Sequence, residues 1–212
     1  AGIRAVPDKD DAKSRRSTTE DETIKILSHV RAAQGARKWI PWLAAFTGAR
    51  VTEVGQLYAS DIRSIGDVFY IDVNRDTSDK SLKTAGSKRN IPLHAQLLEE
   101  AFLEFVATRE GGPLFPELKL DKHGKRARAS SSLMEKLVRG ELGMSDLTLA
   151  PAHSFRHRFA DLCRNYGVRE ELWHSLTGHL GKKAADKYGN GFWITTQHAE
   201  GVSKIPRLKI DP

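Results

Sequence analysis

The sequence predicts an α+β fold, mainly α-helical with one small antiparallel β-sheet, in a single domain. Three observations lead there. Apolar residues recur at helical spacing over most of the chain. One run, Val68-Phe69-Tyr70-Ile71-Asp72-Val73, is rich instead in β-branched and aromatic residues, as strands are. A polar stretch containing Gly86 joins it to a second short run, Arg89 to Leu93, as a hairpin connection would. At 212 residues the chain can bury one sizeable core.

Each element has its own signal. Residues 1–17 mix charges with almost no apolar periodicity and read as a tail or linker. Thr19 and Glu22 have capping-box spacing, and the helix they open carries Ile24, Leu27 and Val30 before ending near Gln34-Gly35. A second helix runs through Trp39, Leu43 and Phe46 to a break at Thr47-Gly48. A third begins around Ala49 to Thr52 and reaches about Tyr58. Ser60-Asp61 and Gly66-Asp67 punctuate the approach to the strands. From His94, the residues Leu97, Leu98, Ala101, Phe102, Phe105 and Val106 predict one helix with a single apolar face, ended by Gly111-Gly112-Pro113. A basic loop over 117–129 precedes a helix from Ser130 to Arg139. Ala150-Pro151 opens a helix that Gly167 stops, and a short helix covers Arg169 to Leu176.

Composition narrows the function classes. Thirty-four Lys and Arg against 27 Asp and Glu leave a net charge of +7, which favours a polyanionic partner, nucleic acid first. No apolar run approaches a membrane span, and the first thirty residues are too charged for a signal peptide. A single cysteine, Cys163, excludes an intrachain disulfide and a cysteine-based zinc site, so a reducing, cytoplasmic setting fits best. Cys163 falls on the apolar stripe of Phe155, Phe159 and Leu162 and reads as a packing residue.

Four polar islands interrupt the apolar pattern. In the first, Arg50 and Glu53 are three apart and share a helix face; alone, they fit a surface ion pair. The second, Ser81 to Arg89, lies between the strands and fits a solvated hairpin, or a lysine carried on a turn to a phosphate or a leaving oxygen. Lys83 and Lys88 both compete for that part. The third holds His153, Arg156 and His157. His153 and Arg156 project together, and two cations side by side repel unless an anion lies between them. His153 and His157 have the spacing of a zinc pair, but the glutamate of a His-Glu-x-x-His motif is missing. In the fourth, His179 and Tyr188 are nine apart, about 180° around one helix, so both can serve one site only if the chain breaks, and Gly181 offers the break. Alone, Tyr188 fits a packing residue.

Together these residues suit metal-free chemistry on a phosphodiester. Two guanidiniums can bind two non-bridging oxygens bidentately, and a tyrosine with an ordinary pKa of about 10 needs cationic surroundings or a base before it attacks.

The order of the islands resembles the catalytic domain of the tyrosine recombinases, the phage integrase family. TGARVTEVGQLYASDI resembles its first arginine box, LKTAGSKRNIPL its lysine-bearing β-hairpin, HSFRHRFAD its His-x-x-Arg box, and LTGHLGKKAADKYG its Gly-His box with the terminal tyrosine. The resemblance spans about Thr18 to Tyr188. It implies that Arg50 and Arg156 clamp the scissile phosphate and that His179 hydrogen-bonds the same oxygens. Lys83 would protonate the departing 5′-oxygen, His153 would move a proton at the nucleophile, Glu53 would orient the site's side chains, and Tyr188 would form a 3′-phosphotyrosyl link. Neither ATP nor a metal is implied. Lys88, Arg89, Lys125, Arg126, Lys182 and Lys183 are the candidate DNA contacts.

Two departures stand out. Ser154-Phe155 replaces an acidic residue and leucine common in the third box, and Lys182-Lys183-Ala184-Ala185 replaces a hydroxyl-rich run. The family usually carries a helical DNA-binding domain ahead of this one, where this sequence has a charged tail, so the expectation is an excised catalytic domain: a charged tail or linker (1–17), a catalytic domain (18–188) and a C-terminal tail (189–212). Phe192 and Trp193 would anchor that tail in cis or on a neighbouring protomer. The implied partner is double-stranded DNA, with a homotetramer on DNA for a full-length protein, a monomeric isolated domain, and no membrane. A type IB topoisomerase-like relaxing activity, a non-catalytic DNA-binding module, and a metal-dependent nuclease using His153, His157 and His179 are the rival readings.

Overall fold

A computed structural model describes residues 15–82, 87–178 and 196–210. Helix α1 (Glu20–Val30) starts at the expected capping box. Thr19 Oγ1 accepts the Glu22 amide at 3.1 Å, and the Glu22 carboxylate accepts the Thr19 amide at 2.9 Å. Helix α2 (Gly35–Thr47) is buried along almost its whole length, with Trp42, Leu43, Ile40 and Phe46 at the centre of the core. A helix that is apolar all round has to be covered on every side, and α1, the short α3 (Val51–Val54), α6 (Ala127–Glu135) and α7 (Ser154–Asn165) pack around it.

The sheet has three antiparallel strands in the order β1 (Ile62–Ile65), β2 (Val68–Val73) and β3 (Arg89–Pro92). Ile71 stands opposite Ile62 on one side and Ile91 on the other, and Val73 stands opposite Arg89. Strand β1 has no counterpart in the sequence reading. It is mostly exposed, so no apolar alternation marks it, and it forms because a tight turn at Gly66 folds the chain back onto β2.

The single helix expected from Leu97 to Val106 is two: α4 (Ala95–Glu99) and α5 (Phe102–Ala107), divided at Ala101 with φ +66°. Leu97 and Phe102 are both fully buried. Five residues apart on one helix they would diverge by about 140°, and the break turns both inward. Helix α3 is likewise shorter than expected. Helix α6 starts three residues earlier than expected, at Ala127, and runs into a π-helical turn, Lys136–Glu141. Helix α7 begins at Ser154, after a turn over 151–153, rather than at Ala150-Pro151, while α8 (Glu170–Thr177) follows the sequence expectation closely.

The last described segment contains α9 (Thr196–Ser203), and it packs on its own chain. Val202, Ile205 and Leu208 join the core. The Gln96 side chain pairs with both backbone groups of Leu208, at 2.8 and 2.9 Å, and His94 bonds the Ile205 carbonyl at 2.8 Å. Phe192 and Trp193 lie outside the described residues. At the other end, Arg16 is pinned by Glu22 and Asp146, and its carbonyl accepts the Ser154 hydroxyl at 2.6 Å. Among the described residues, no helix is long and apolar enough to cross a membrane.

Candidate active site

Helix α2 ends at Gly48 with φ +62°, and this turn builds the first half of the site. A Cβ on Gly48 would lie 2.4 Å from the Phe159 ring, so glycine is required both by the backbone and by the close approach of α7. The Gly48 carbonyl accepts a hydrogen bond from Arg156 Nη1 at 2.8 Å. Two residues on, Arg50 precedes α3, and Glu53 folds back beneath it. The Glu53 carboxylate takes the Arg50 amide at 2.9 Å and Arg50 Nη1 at 2.7 Å.

Arg50, His153 and Arg156 line one open cavity of about 810 Å³, joined by Arg15, Arg16, His157, Arg164 and His174. The spacing of His153 and Arg156 places them side by side at the start of α7, and the Gly48 turn brings Arg50 to them. His174 on α8, with Arg15 and Arg164, is a basic lining residue that the sequence reading did not single out. Isolated basic residues carry no sequence signal of which cavity they will edge.

The electrostatics favour an anion here. Burial pushes the Arg156 pKa down to about 10; Arg50 and Arg89 add to the depression, and Glu53 partly opposes it. Arg156 therefore remains charged at neutral pH while crowded by like charges, a strain that a phosphate between the guanidiniums would relieve. His153 is also lowered from its ordinary value, first by burial and then by Arg15, His157, Arg156 and Arg50, which favours the neutral imidazole. For Glu53, burial favours the protonated acid, but Arg89 and then Arg50 outweigh it and hold the pKa below the usual carboxylate value.

The DNA-contact expectation for Arg89 is corrected by the structure. Its side chain is 2% exposed, ion-paired to Glu53 at 2.7 Å, with Nε on the Leu176 carbonyl at 2.7 Å. Its residue number hides this, but strand alternation does not: Arg89 shares a face with Ile91, which is fully buried. Arg126 and Lys125 are also engaged within the chain. Arg126 pairs with Asp79, and Lys125 Nζ caps the Ser78 and Lys80 carbonyls, so both staple the 78–80 loop. Lys88 is exposed and, among the described residues, makes a long contact of 3.7 Å to Asp76.

The base of the hairpin is built in the same way. Lys80, 3% exposed, reaches both Asp61 oxygens at 2.7 Å and Asn74 Oδ1 at 2.8 Å. Gln56, just after α3, accepts the Ser81 amide at 2.8 Å and donates to its carbonyl at 2.7 Å. Lys83, His179, Lys182, Lys183 and Tyr188 lie outside the described residues. Cys163 is fully buried, and burial pushes its thiol up to about 12, which fits a packing residue.

Neither family models nor curated proteins match the sequence. Solved structures do match in shape. The integrase from mycobacterium phage Brujita aligns with a TM-score of 0.61 at 20% identity, over 100% of this chain and 62% of its own. An integrase of the Tn1549 transposon, in complex with transposon right end DNA, aligns at 0.58 and 20%, over 91% of this chain and 66% of its own. XerA recombinase aligns at 0.54 and 17%, over 86% and 60%. The chain thus spans roughly three fifths to two thirds of the length of these proteins. At such identities the likeness speaks for the fold, and this chain shares the fold of these integrase and recombinase structures over the aligned part.

Proposed function

We propose that the chain is the catalytic domain of a site-specific DNA recombinase, an integrase that cuts and rejoins DNA strands through a 3′-phosphotyrosyl intermediate. The observation that carries this reading is the convergence of Arg50, His153 and Arg156 on one open cavity, with Glu53 buried beneath the first arginine. In this reading the Tyr188 oxygen attacks phosphorus and the bond to the 5′-oxygen breaks. The Tyr188 proton passes to neutral His153, and Lys83 protonates the departing oxygen. Arg50, Arg156 and His179 hold the non-bridging oxygens, where negative charge grows. A 5′-hydroxyl then reverses the sequence and regenerates the tyrosine, so the phosphotyrosyl bond conserves the energy for religation and no ATP is consumed.

Double-stranded DNA is the substrate in this reading. The net charge of +7 and the fold shared with integrases whose structures hold DNA support it. Lys88, Lys182 and Lys183 would contact flanking phosphates, the isolated domain would be monomeric, and a full-length protein would work as a homotetramer on DNA in the cytoplasm. Incubation with a nicked suicide duplex tests the reading. The unmodified chain should yield a covalent protein–DNA adduct in the presence of EDTA. Tyr188→Phe should yield none while binding the duplex nearly as well, and an adduct persisting in Tyr188→Phe would overturn the assignment. Relaxation of supercoiled plasmid lacking any specific site would favour the topoisomerase-like alternative.

A further inference from the structure

Arg89 lies under the arginine clamp. Its two amino nitrogens reach the Glu53 carboxylate at 2.7 and 3.3 Å, Nε donates to the Leu176 carbonyl at 2.7 Å, and Nη1 donates to the Ser87 carbonyl at 2.8 Å. The same carboxylate holds Arg50 Nη1 at 2.7 Å. One buried negative charge is therefore shared between two guanidiniums, and the Arg50–Glu53–Arg89 triad keeps a net unit of positive charge. Only Arg50 of the two lines the cavity.

We infer that Arg89 is a positioning residue for strand cleavage, which occupies Glu53 from below and so leaves the charge of Arg50 uncancelled for the scissile phosphate. The inference rests on the recombinase reading of the site. Without Arg89, Arg50 and Glu53 form a neutral pair, and a buried carboxylate with a single cationic partner draws that partner down toward itself. Arg89 also fixes where α8 ends. Its bond to Leu176 lies two residues before Gly178, whose φ of +68° turns the chain tightly past the guanidinium. A Cβ on Gly178 would come within 3.1 Å of Arg89 Nη1. One side chain thus ties β3, the Glu53 helix and the end of α8 together.

The test uses the full chain with Arg89→Met and with the double variant Arg89→Met/Glu53→Gln. The first readout is the affinity for inorganic phosphate, followed through arginine side-chain NMR signals. The second is the rate of adduct formation on a suicide duplex. Arg89→Met should weaken phosphate binding about tenfold or more, the effect of one lost unit charge at an effective dielectric near 20. It should slow adduct formation about 100-fold, comparable to losing one transition-state donor. The double variant should recover most of the lost phosphate affinity, because a neutral amide no longer cancels Arg50. A merely structural role for Arg89 predicts no recovery, and a double variant no better than the single one overturns the inference.

If Arg89→Met does not fold, the double variant measured against the unmodified chain decides. Phosphate affinity within about threefold supports the inference, and a tenfold loss overturns it. Phosphate binding reads the clamp without chemistry. An unmodified chain that binds phosphate but forms no adduct would therefore refute the recombinase reading, while the phosphate titrations still judge Arg89.

Discussion

Replacing Gly48 with alanine adds one methyl group at the point where α2, α7 and Arg156 meet. Two costs follow from the structure. At φ +62° an alanine is in the left-handed region, which costs about 1–2 kcal/mol. The new Cβ would also sit 2.4 Å from Phe159 Cδ1, 2.9 Å from Cε1 and 2.9 Å from Cγ. Phe159 is fully buried and has no room to retreat, so overpacking adds about 1–3 kcal/mol. The sum, about 2–5 kcal/mol, should appear in urea unfolding as a lower midpoint at an unchanged slope. Phe159→Leu in the Gly48→Ala background should return part of the packing cost and none of the backbone cost. Because Arg156 is hydrogen-bonded to the Gly48 carbonyl, adduct formation should fall even at temperatures where the variant is fully folded. A loss of stability below about 0.5 kcal/mol would refute the close-approach argument, being within the range of an ordinary surface substitution.

Two further outcomes are expected. The His153 imidazole should titrate below its ordinary value of about 6.5 in the DNA-free protein, since burial and then the neighbouring Arg15, His157, Arg156 and Arg50 disfavour its charged form. Bringing a phosphate anion into the cavity should raise that pKa. NMR titration with and without inorganic phosphate checks both signs, and a downward shift on adding phosphate would contradict the geometry. Lys80→Met should cost about 3–5 kcal/mol in chemical denaturation, because it breaks a buried ion pair from one side. Combining it with Asp61→Asn should cost less than the sum of the two single variants, and strict additivity would refute their pairing.

Much of the fold was legible because local signals and burial agree. The capping box at Thr19, the apolar runs of α2 and α7, and the β-branched run of β2 each have one dominant pattern, and each forms as read. The misreadings have a shared cause. Strand β1 carries no apolar face of its own, so only its pairing with β2 defines it. The division between α4 and α5 answers the need to turn Leu97 and Phe102 into the same core, which a one-dimensional pattern cannot express. The C-terminal segment is held by core packing of Val202, Ile205 and Leu208 and by side chain-to-backbone bonds from His94 and Gln96, more than a hundred positions away in the chain.

For the candidate site the division falls between residue types and their company. By itself the sequence determined which groups are available: Arg50 with Glu53 at helical spacing, His153 with Arg156, a basic balance, and an order of boxes resembling the tyrosine recombinases. Tertiary structure decided which cations face the cavity and which lie beneath it. Arg50 and Arg89 look equivalent as letters, but Arg50 lines the opening, and Arg89 is buried against Glu53 and the end of α8. The physical reason is that a guanidinium can be buried only where a carboxylate and carbonyl oxygens satisfy it, and for Arg89 the Glu53 carboxylate and the Leu176 carbonyl come from two elements, α3 and α8, that meet β3 only in the folded chain.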